Sequence, residues 1–470
     1  MKSLRFLLPG LFLFVLVTFC SKKVSKPNFI VIFCDDMGYG DPGCYGSKVH
    51  DTPHLDRMAQ EGVLFTDFYA CSSVCTPSRA SLLTGCYPRR VNMHQNTGDL
   101  CVLFPIAHQG LNPAEITVAE ILREEGYATT CIGKWHLGDQ PPFLPTEQGF
   151  DSYYGIPYSN DMGPWRENSK RPPLPLLQDK TVIEAPAEQN TITKRYTEQA
   201  LEFIKSHQDE PFFLYLPHTM PHNPVHASEP FQGISDNGGY GDAVEEIDWS
   251  TGQILDLLRD LNLDENTLVI FTSDNGAASK WGGSNAPLRG WKGSTWEGGQ
   301  RVPCLAWWPG TVPAGIENNA MCSTLDILPT FAKLAGTKAP QDRIIDGTDI
   351  SDLLLGHELT ESPHKVFYYY QMDQLQCVRS GRWKLHLPLE NKKRNWGPGH
   401  GEVPVQLFDL RADVAEQNNV AEQNPEVVQR LTQLADAARR DLGDNEQSGA
   451  NQRPAGYMGE PEPLTMNQLK

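Results

Sequence analysis

Short apolar runs, each closed by a cluster of polar residues, set the rhythm of this chain. Pro27 is followed by Asn28-Phe29-Ile30-Val31-Ile32-Phe33, and the run ends in Cys34-Asp35-Asp36. A β-branched stretch of this length, with proline before it, predicts a buried strand. The same grammar returns at Leu268 to Ser273, which ends in Asp274-Asn275-Gly276. It returns again at Phe212 to Leu216, which delivers Pro217-His218-Thr219-Met220-Pro221-His222-Asn223-Pro224. A helical stretch from Ala119 to Glu125 precedes a short strand from Ala128 to Ile132, which opens into Gly133-Lys134-Trp135-His136-Leu137-Gly138. Strands alternating with helices predict an α/β architecture, whose ligand sites gather at the carboxyl edge of a parallel sheet.

The pattern changes after Ala335-Gly336-Thr337-Lys338-Ala339-Pro340. Before it, Thr324 to Ala332 reads as the closing helix of a large domain over 27–340. After it come strand-like runs at Val366 to Tyr370, Leu375 to Arg379, Trp383 to His386 and Gln406 to Leu410. Ser380-Gly381 is a hairpin signal, and the apolar spacing of Val427, Val428, Leu431, Leu434 and Ala435 predicts a helix from Pro425 to Leu442 packed on that sheet. These place a small α+β domain over 341–445. The tail, 446–470, is polar and proline-bearing and has two readings, irregular chain or a strap across the large domain.

The first twenty-two residues stand outside the fold. Lys2 and Arg5 form a basic start, and Leu4 to Phe19 is almost wholly apolar, as in a secretory signal. Cys20, after Leu16-Val17-Thr18-Phe19, sits where a lipoprotein cleavage box would place a lipid anchor, although Phe19 departs from the small residue usual there. A lipid-anchored outer-membrane or cell-surface protein and a soluble periplasmic or secreted one are both expected readings. Eleven cysteines include Cys20 and Cys75; the other nine are an odd number, so at least one stays unpaired.

A net charge of −18 argues against nucleic acid or an anionic membrane as a partner. It also concentrates attention on local positive charge in any site for an anion. Forty glycines and thirty-six prolines predict many loops. Gly163 to Glu188 reads as one insertion. Gly283 to Gly299 reads as another, too rich in glycine for a regular element, and leaves Lys292 reachable from a pocket.

Two adjacent carboxylates at the end of a buried strand repel each other unless a cation lies between them. Asp35 and Asp36 have this arrangement, and Asp274-Asn275 would meet them if their strands are neighbours. An oxygen-only set favours Ca²⁺ or Mg²⁺ over zinc. Lys134 and His136 are two apart, which on an extended segment aims both side chains to one face. Prolines around His222 suit a positioned acid.

The run Cys75-Thr76-Pro77-Ser78-Arg79, followed by Leu82-Leu83-Thr84-Gly85, resembles the signature of the type I sulfatases. The resemblance extends over nearly the whole chain after residue 27. Tyr240 to Trp249 and Glu297 to Pro303 are similar to the branch holding arylsulfatase A and N-acetylgalactosamine-6-sulfatase. It implies an alkaline-phosphatase-like large domain, with a mixed, mostly parallel central sheet flanked by helices. A small C-terminal domain with a four-stranded antiparallel sheet and a helix would follow. It also implies hydrolysis of sulfate esters, here on a sulfated carbohydrate, by a formylglycine made from Cys75 by a maturation enzyme.

The site residues follow by resemblance. Asp35, Asp36, Asp274 and Asn275 would hold Ca²⁺, with Mg²⁺ as the second choice. Arg79 would stabilise residue 75, Lys134 and His136 would contact its hydrated aldehyde, and Ser159 would hydrogen-bond in the same site. Lys134, His222 and Lys292 would bind the sulfate, His222 giving a proton to the leaving alcohol. One hydroxyl of the hydrated aldehyde would attack sulfur, leaving a covalent sulfo-enzyme from which the other hydroxyl expels sulfate. His94, Asn96, Asp161, Trp165 and Arg166 are candidates for substrate specificity. A phosphoesterase or phosphonate hydrolase of the same superfamily, and a catalytically silent glycan-binding lipoprotein, are the alternative readings.

Overall fold

The computed structural model of the chain describes residues 26–164, 171–356, 361–393 and 401–466. Residues 1–25, with Cys20, and the candidates Trp165 and Arg166 lie outside the described residues.

A ten-stranded sheet forms the centre of the large domain. Asn28–Cys34 lies in its middle, parallel to Thr267–Ser273 on one side and to Phe212–Pro217 on the other. Ala128–Ile132 and then Ser152–Gly155 continue the parallel part beyond Phe212–Pro217. Cys304–Trp307 runs antiparallel beside Thr267–Ser273, so the sheet is mixed and mostly parallel through its centre, as the resemblance implies.

The central strand is buried on both faces because its side chains alternate between two cores. Phe29, Val31 and Phe33 pack with the helices Cys75–Thr84, Val118–Glu124 and Ile327–Leu334. Ile30, Ile32 and Cys34 pack with Pro53–Glu61, Ile192–Ser206 and Gly238–Asp260 on the other side. All six side chains are fully buried. Each large apolar side chain so placed contributes roughly 1.5–3 kcal/mol of transfer free energy. That two-sided burial explains the continuous apolar run in the sequence.

Two expected loops carry regular structure. Leu176–Gln178 and Thr181–Glu184, within the presumed insertion at 163–188, form a hairpin that extends the edge of the large sheet. Glu297–Gln300, at the end of the glycine-rich loop, is a buried turn of helix, whose first residue is bonded to Lys384 and Glu416 of the C-terminal domain.

The second sheet has four antiparallel strands in chain order, Phe367–Gln371, Gln374–Ser380, Trp383–His386 and Gln406–Asp409. Ser380 pairs with Trp383 across the expected hairpin, where Gly381 takes a left-handed φ of 58°. The helix Pro425–Leu442 buries Leu431, Ala435, Ala438 and Leu442 on this sheet. The same core includes Tyr69, Tyr87 and Leu325 of the large domain, so the two domains share packing.

The tail is a strap. Gly456–Tyr457 pairs with Gln109–Gly110 of the large domain, and Leu464 enters its core. Residues 341–356 also pack there, through Ile350, Leu353 and Leu354. All ten described cysteines are unpaired, nine of them buried as small apolar groups.

Candidate active site

Strand register assembles the acidic cluster. Cys34 is level with Ser273, so the next residues, Asp35 and Asp274, leave the sheet edge side by side. Asp36 turns back with a left-handed φ of 68°, a costly conformation for a non-glycine residue. Several contacts hold it there. Its N–H donates to Asp274 Oδ1 at 3.1 Å, Asn275 Nδ2 donates to its Oδ1 at 2.7 Å, and Lys292 Nζ lies 2.7 Å from the same oxygen.

Cys75 begins a ten-residue helix, Cys75–Thr84, whose side chains are all buried. The helix N-terminus turns unpaired N–H groups and a partial positive charge towards the cluster. Arg79, one turn on, donates to Asp274 Oδ2 at 2.8 Å and to the Lys134 carbonyl at 2.8 Å. Gly85 closes the helix at φ 65°, its N–H bonded to the Ser81 carbonyl.

Lys134 and His136 both reach the site, but not as alternate residues of a strand. The chain from Gly133 to Gly138 is twisted, with positive φ at Gly133, His136 and Gly138. A side chain on Gly133 would meet the Pro217 carbonyl at 1.9 Å, so glycine lets this segment lie against its neighbour. Lys134 Nζ contacts Asp35 Oδ2 at 2.5 Å and Ser159 Oγ at 3.2 Å. His136 Nε2 lies 2.9 Å from the Leu103 carbonyl, which can only accept, so Nε2 carries the proton. Its Nδ1 has no protein partner and is therefore the basic nitrogen of the neutral ring.

His222 is held by a residue the sequence reading passed over. Asn160 Nδ2 donates to Gln189 Oε1 and the Pro224 carbonyl, which leaves its Oδ1 to accept from His222 Nδ1 at 3.1 Å. His222 Nε2 then faces Asp36, at 3.8 Å from Oδ2. Asn160 follows Ser159 directly, and that adjacency was the available signal. The Lys292 loop is fixed at its base: Lys292 N–H donates to the Ala277 carbonyl, and Gly293 N–H to Ser73, two residues before Cys75.

The local field is strong and nearly balanced. Asp35, Asp36 and Asp274 face Arg79, Lys134 and Lys292. Burial alone would raise the Asp35 carboxyl, but Lys134, His222 and Arg79 outweigh it and hold the group well below the ordinary range. Burial and the charge of Asp35 push Asp274 up. Burial, then Lys292, lowers His222; burial, then Lys134, lowers His136. Burial raises the Cys75 thiol despite both lysines, so an unmodified Cys75 is a poor thiolate.

The acidic cluster fits a hard cation. Asp35 Oδ1 and Asn275 Oδ1 are buried without a hydrogen-bond partner, an expensive arrangement unless something positive completes it. Oxygens of Asp35 and Asp36 and a nitrogen of His222 lie within 4.8 Å of one another, as do ligand atoms of Asp35, Cys75 and Asp274. The carboxylates and the amide oxygen are the donor set of Ca²⁺ or Mg²⁺.

A cavity of 300 Å³ opens onto these groups. Cys75, His136, Ser159, His222 and Lys292 line it, together with Asp161, one of the specificity candidates. Arg171, whose guanidinium carbon is 5.3 Å from the centroid of the Phe104 ring, lines it as well. His94 and Asn96 do not line this cavity. Asn96 Oδ1 instead accepts from Gly98 and Leu100 within its own turn.

Comparison with known proteins identifies the family. The sulfatase family model matches residues 27–337, and that of the C-terminal region of aryl-sulfatase matches 362–458. The chain is 43% identical to canine (Canis lupus familiaris) N-acetylgalactosamine-6-sulfatase, over 77% of this chain and 72% of the relative. It is 39% identical to human (Homo sapiens) arylsulfatase A, over 87% of each. A solved structure described with glycosaminoglycan metabolism by Bacteroides thetaiotaomicron superposes with a TM-score of 0.77 at 31% identity, covering 88% of this chain and 99% of that one. The chain belongs to the sulfatase family and is a hydrolase of sulfuric esters.

Proposed function

We propose that this sulfatase removes sulfate from a carbohydrate, with 6-O-sulfated N-acetylgalactosamine or a similar hexose as the first candidate, through formylglycine formed from Cys75. The observation that carries the reading is Cys75 at a buried helix N-terminus, facing Lys134, Lys292, two neutral histidines and an unsatisfied acidic cluster. The named activities of the relatives support the substrate class.

A hydrated aldehyde at position 75 supplies a nucleophilic hydroxyl and a second one that allows release of sulfate. Asp35, Asp36, Asp274 and Asn275 would hold a Ca²⁺, which would supply positive charge to the site. The remaining work belongs to side chains already in place. Lys134 and Lys292 stabilise the charge on the transferring group in a largely dry site. His222, neutral in the free enzyme, gains proton affinity when an anionic ester arrives beside it, and its Nε2 then gives a proton to the leaving oxygen. His136 accepts a proton at Nδ1. Ser159 and Asn160 orient Lys134 and His222. Overall, a sulfate monoester and water yield an alcohol and hydrogen sulfate.

The basic and apolar segment from Lys2 to Phe19 supports export, with Cys20 as a lipid-anchor position. Mass spectrometry of the peptide carrying residue 75, from a host with a maturation enzyme, tests the central claim. Formylglycine is expected. An unmodified cysteine beside a correctly matured control protein would overturn it. Parallel rates on matched aryl sulfate and aryl phosphate separate this reading from a phosphoesterase, and a faster phosphate reaction would favour the latter.

A further inference from the structure

Thr76 follows Cys75 directly, yet its hydroxyl serves two other segments of the chain. Oγ1 donates to the His136 carbonyl at 3.0 Å and accepts from the Leu103 N–H at 3.2 Å. The Leu103 carbonyl in turn accepts from His136 Nε2 at 2.9 Å. The three bonds close a circuit through Thr76, Leu103 and His136, all of them buried. A hydroxyl has one proton and two lone pairs, so Thr76 can hold both neighbours at once.

The circuit lies where the backbone needs support. His136 has a left-handed φ of 61°, which its β-carbon disfavours. Its N–H is bonded to the Pro157 carbonyl, its own carbonyl to Thr76 and its ring to Leu103. Main chain and imidazole are thus fixed together. The Leu103 carbonyl keeps the proton on Nε2 and leaves Nδ1 as the free base of a residue that lines the catalytic cavity.

The segment around Leu103 has a second tie. A few residues on, the Asp139 carboxylate accepts from the N–H groups of Ile106 and Ala107, at 2.6 and 3.2 Å. That tie does not pass through Thr76, so the segment stays attached when the hydroxyl is removed. What the hydroxyl adds is the placement of Leu103 against the His136 ring. Valine would fill the same space but leave the His136 carbonyl and the Leu103 N–H without their partner, and the two segments would shift to find others.

Resting on the formylglycine reading above, we propose that Thr76 is a positioning residue for His136, and that its hydroxyl serves the release of sulfate rather than its capture. In that step His136 Nδ1 takes the proton of the free hydroxyl on the residue-75 carbon. The O–H electron pair becomes the new C=O bond, and sulfate leaves with the pair of the broken C–O bond. Capture draws on Lys134, Lys292 and His222, which are held by other partners: Asp35 and Ser159, Asp36, and Asn160.

The test uses Thr76→Val, Thr76→Ala and Thr76→Ser with a nitrophenyl sulfate, whose good leaving group makes capture fast. Formylglycine occupancy is measured by mass spectrometry, and rates are expressed per modified site. In the Val and Ala variants kcat should fall about tenfold, part of what a well-placed base supplies, while kcat/KM stays within about twofold. A rapid burst approaching one nitrophenol per modified site should precede the slow phase, the mark of an intermediate that accumulates. Thr76→Ser, which keeps the hydroxyl, should stay within about threefold of wild type in both parameters. An unchanged kcat in the Val and Ala variants, an equal fall in kcat/KM without a burst, or a fall in Thr76→Ser as large as in Thr76→Val would overturn the role of Thr76. An unmodified residue 75 in active wild-type enzyme would instead overturn the formylglycine reading.

Discussion

Glu297 and Lys384 meet across the boundary between the catalytic and C-terminal domains, with Oε1 and Nζ 2.9 Å apart and both side chains fully buried. Glu416 lies 3.1 Å from the same ammonium and 2.8 Å from His386 Nε2. Thr295 Oγ1 donates to Gln376 Oε1, and the Trp296 and His386 rings, tilted by 36°, have centroids 4.2 Å apart. Glu297 stands five residues after Lys292. The small sheet thus clamps the loop that presents Lys292 to the catalytic cavity.

Removing the cation would leave Glu416 with His386, and Glu297 with Arg301, as their remaining charged partners. Lys384→Met is expected to destabilise the protein by roughly 3–5 kcal/mol, the usual cost of breaking a buried pair on one side. Because the Lys292 loop loosens, KM for an aryl sulfate should rise more than kcat falls. Chemical denaturation and steady-state kinetics read both effects. A variant of wild-type stability and KM would show that the cluster does not hold the loop.

Cys75→Ala should lower kcat/KM by at least about 10³, as when a covalent nucleophile is lost. Its melting temperature should stay close to that of the unmodified wild type, since the side chain is small and its hydrogen-bonding role slight. Turnover near the wild-type rate would refute the assignment of residue 75.

Chelation should lower the melting temperature along with activity, because Asp35, Asp36 and Asp274 then repel one another. At a cation concentration a hundred times the dissociation constant, the bound ion contributes about 2.7 kcal/mol. Readdition of Ca²⁺ should restore stability more fully than Mg²⁺, since several fixed oxygens suit the larger ion. In Asn275→Ala, calorimetry should show weaker binding. Unchanged affinity there would remove Asn275 from the ligand set.

His364 offers a pH-dependent contact in the segment that leads into the small domain. Its Nε2 lies 2.7 Å from Asp326 Oδ1. Burial opposes the imidazolium, yet Asp326 outweighs it and raises the group above the ordinary 6.5. The stabilisation is therefore complete below pH 6.5 and is lost as pH rises through the higher folded value. His364→Gln should cost about 1.5–3 kcal/mol at pH 6, the range for a charge-assisted hydrogen bond, and less at alkaline pH. A gap that is constant with pH would mean the imidazole stays neutral.

Much of the fold was legible because its signals are local. The strand is apolar at every position from Phe29 to Cys34, on both faces, and the helix Pro425–Leu442 repeats its apolar residues at helical spacing. The residues of the candidate site were legible for a related reason. They sit in short motifs at strand ends, where a parallel sheet gathers its polar groups. Less legible were Asn160, whose amide fixes the His222 tautomer, and the twist from Gly133 to Gly138. Neither shows in composition, since each depends on a partner far away in the chain.

The sequence by itself determined the apolar runs, the polar clusters that end them, and the chemistry those clusters can support. Only the tertiary structure decided that Cys34 is level with Ser273, that the tail straps the large domain, and that Glu297, Lys384 and Glu416 share one buried cluster. It also decided where His94 lies, away from the catalytic cavity and in the wall of a second one. The physical reason is one of range. Strand and helix patterns arise from neighbours a few residues apart, whereas register, buried charge pairing and cavity walls are settled by burial among segments that meet only in the folded chain.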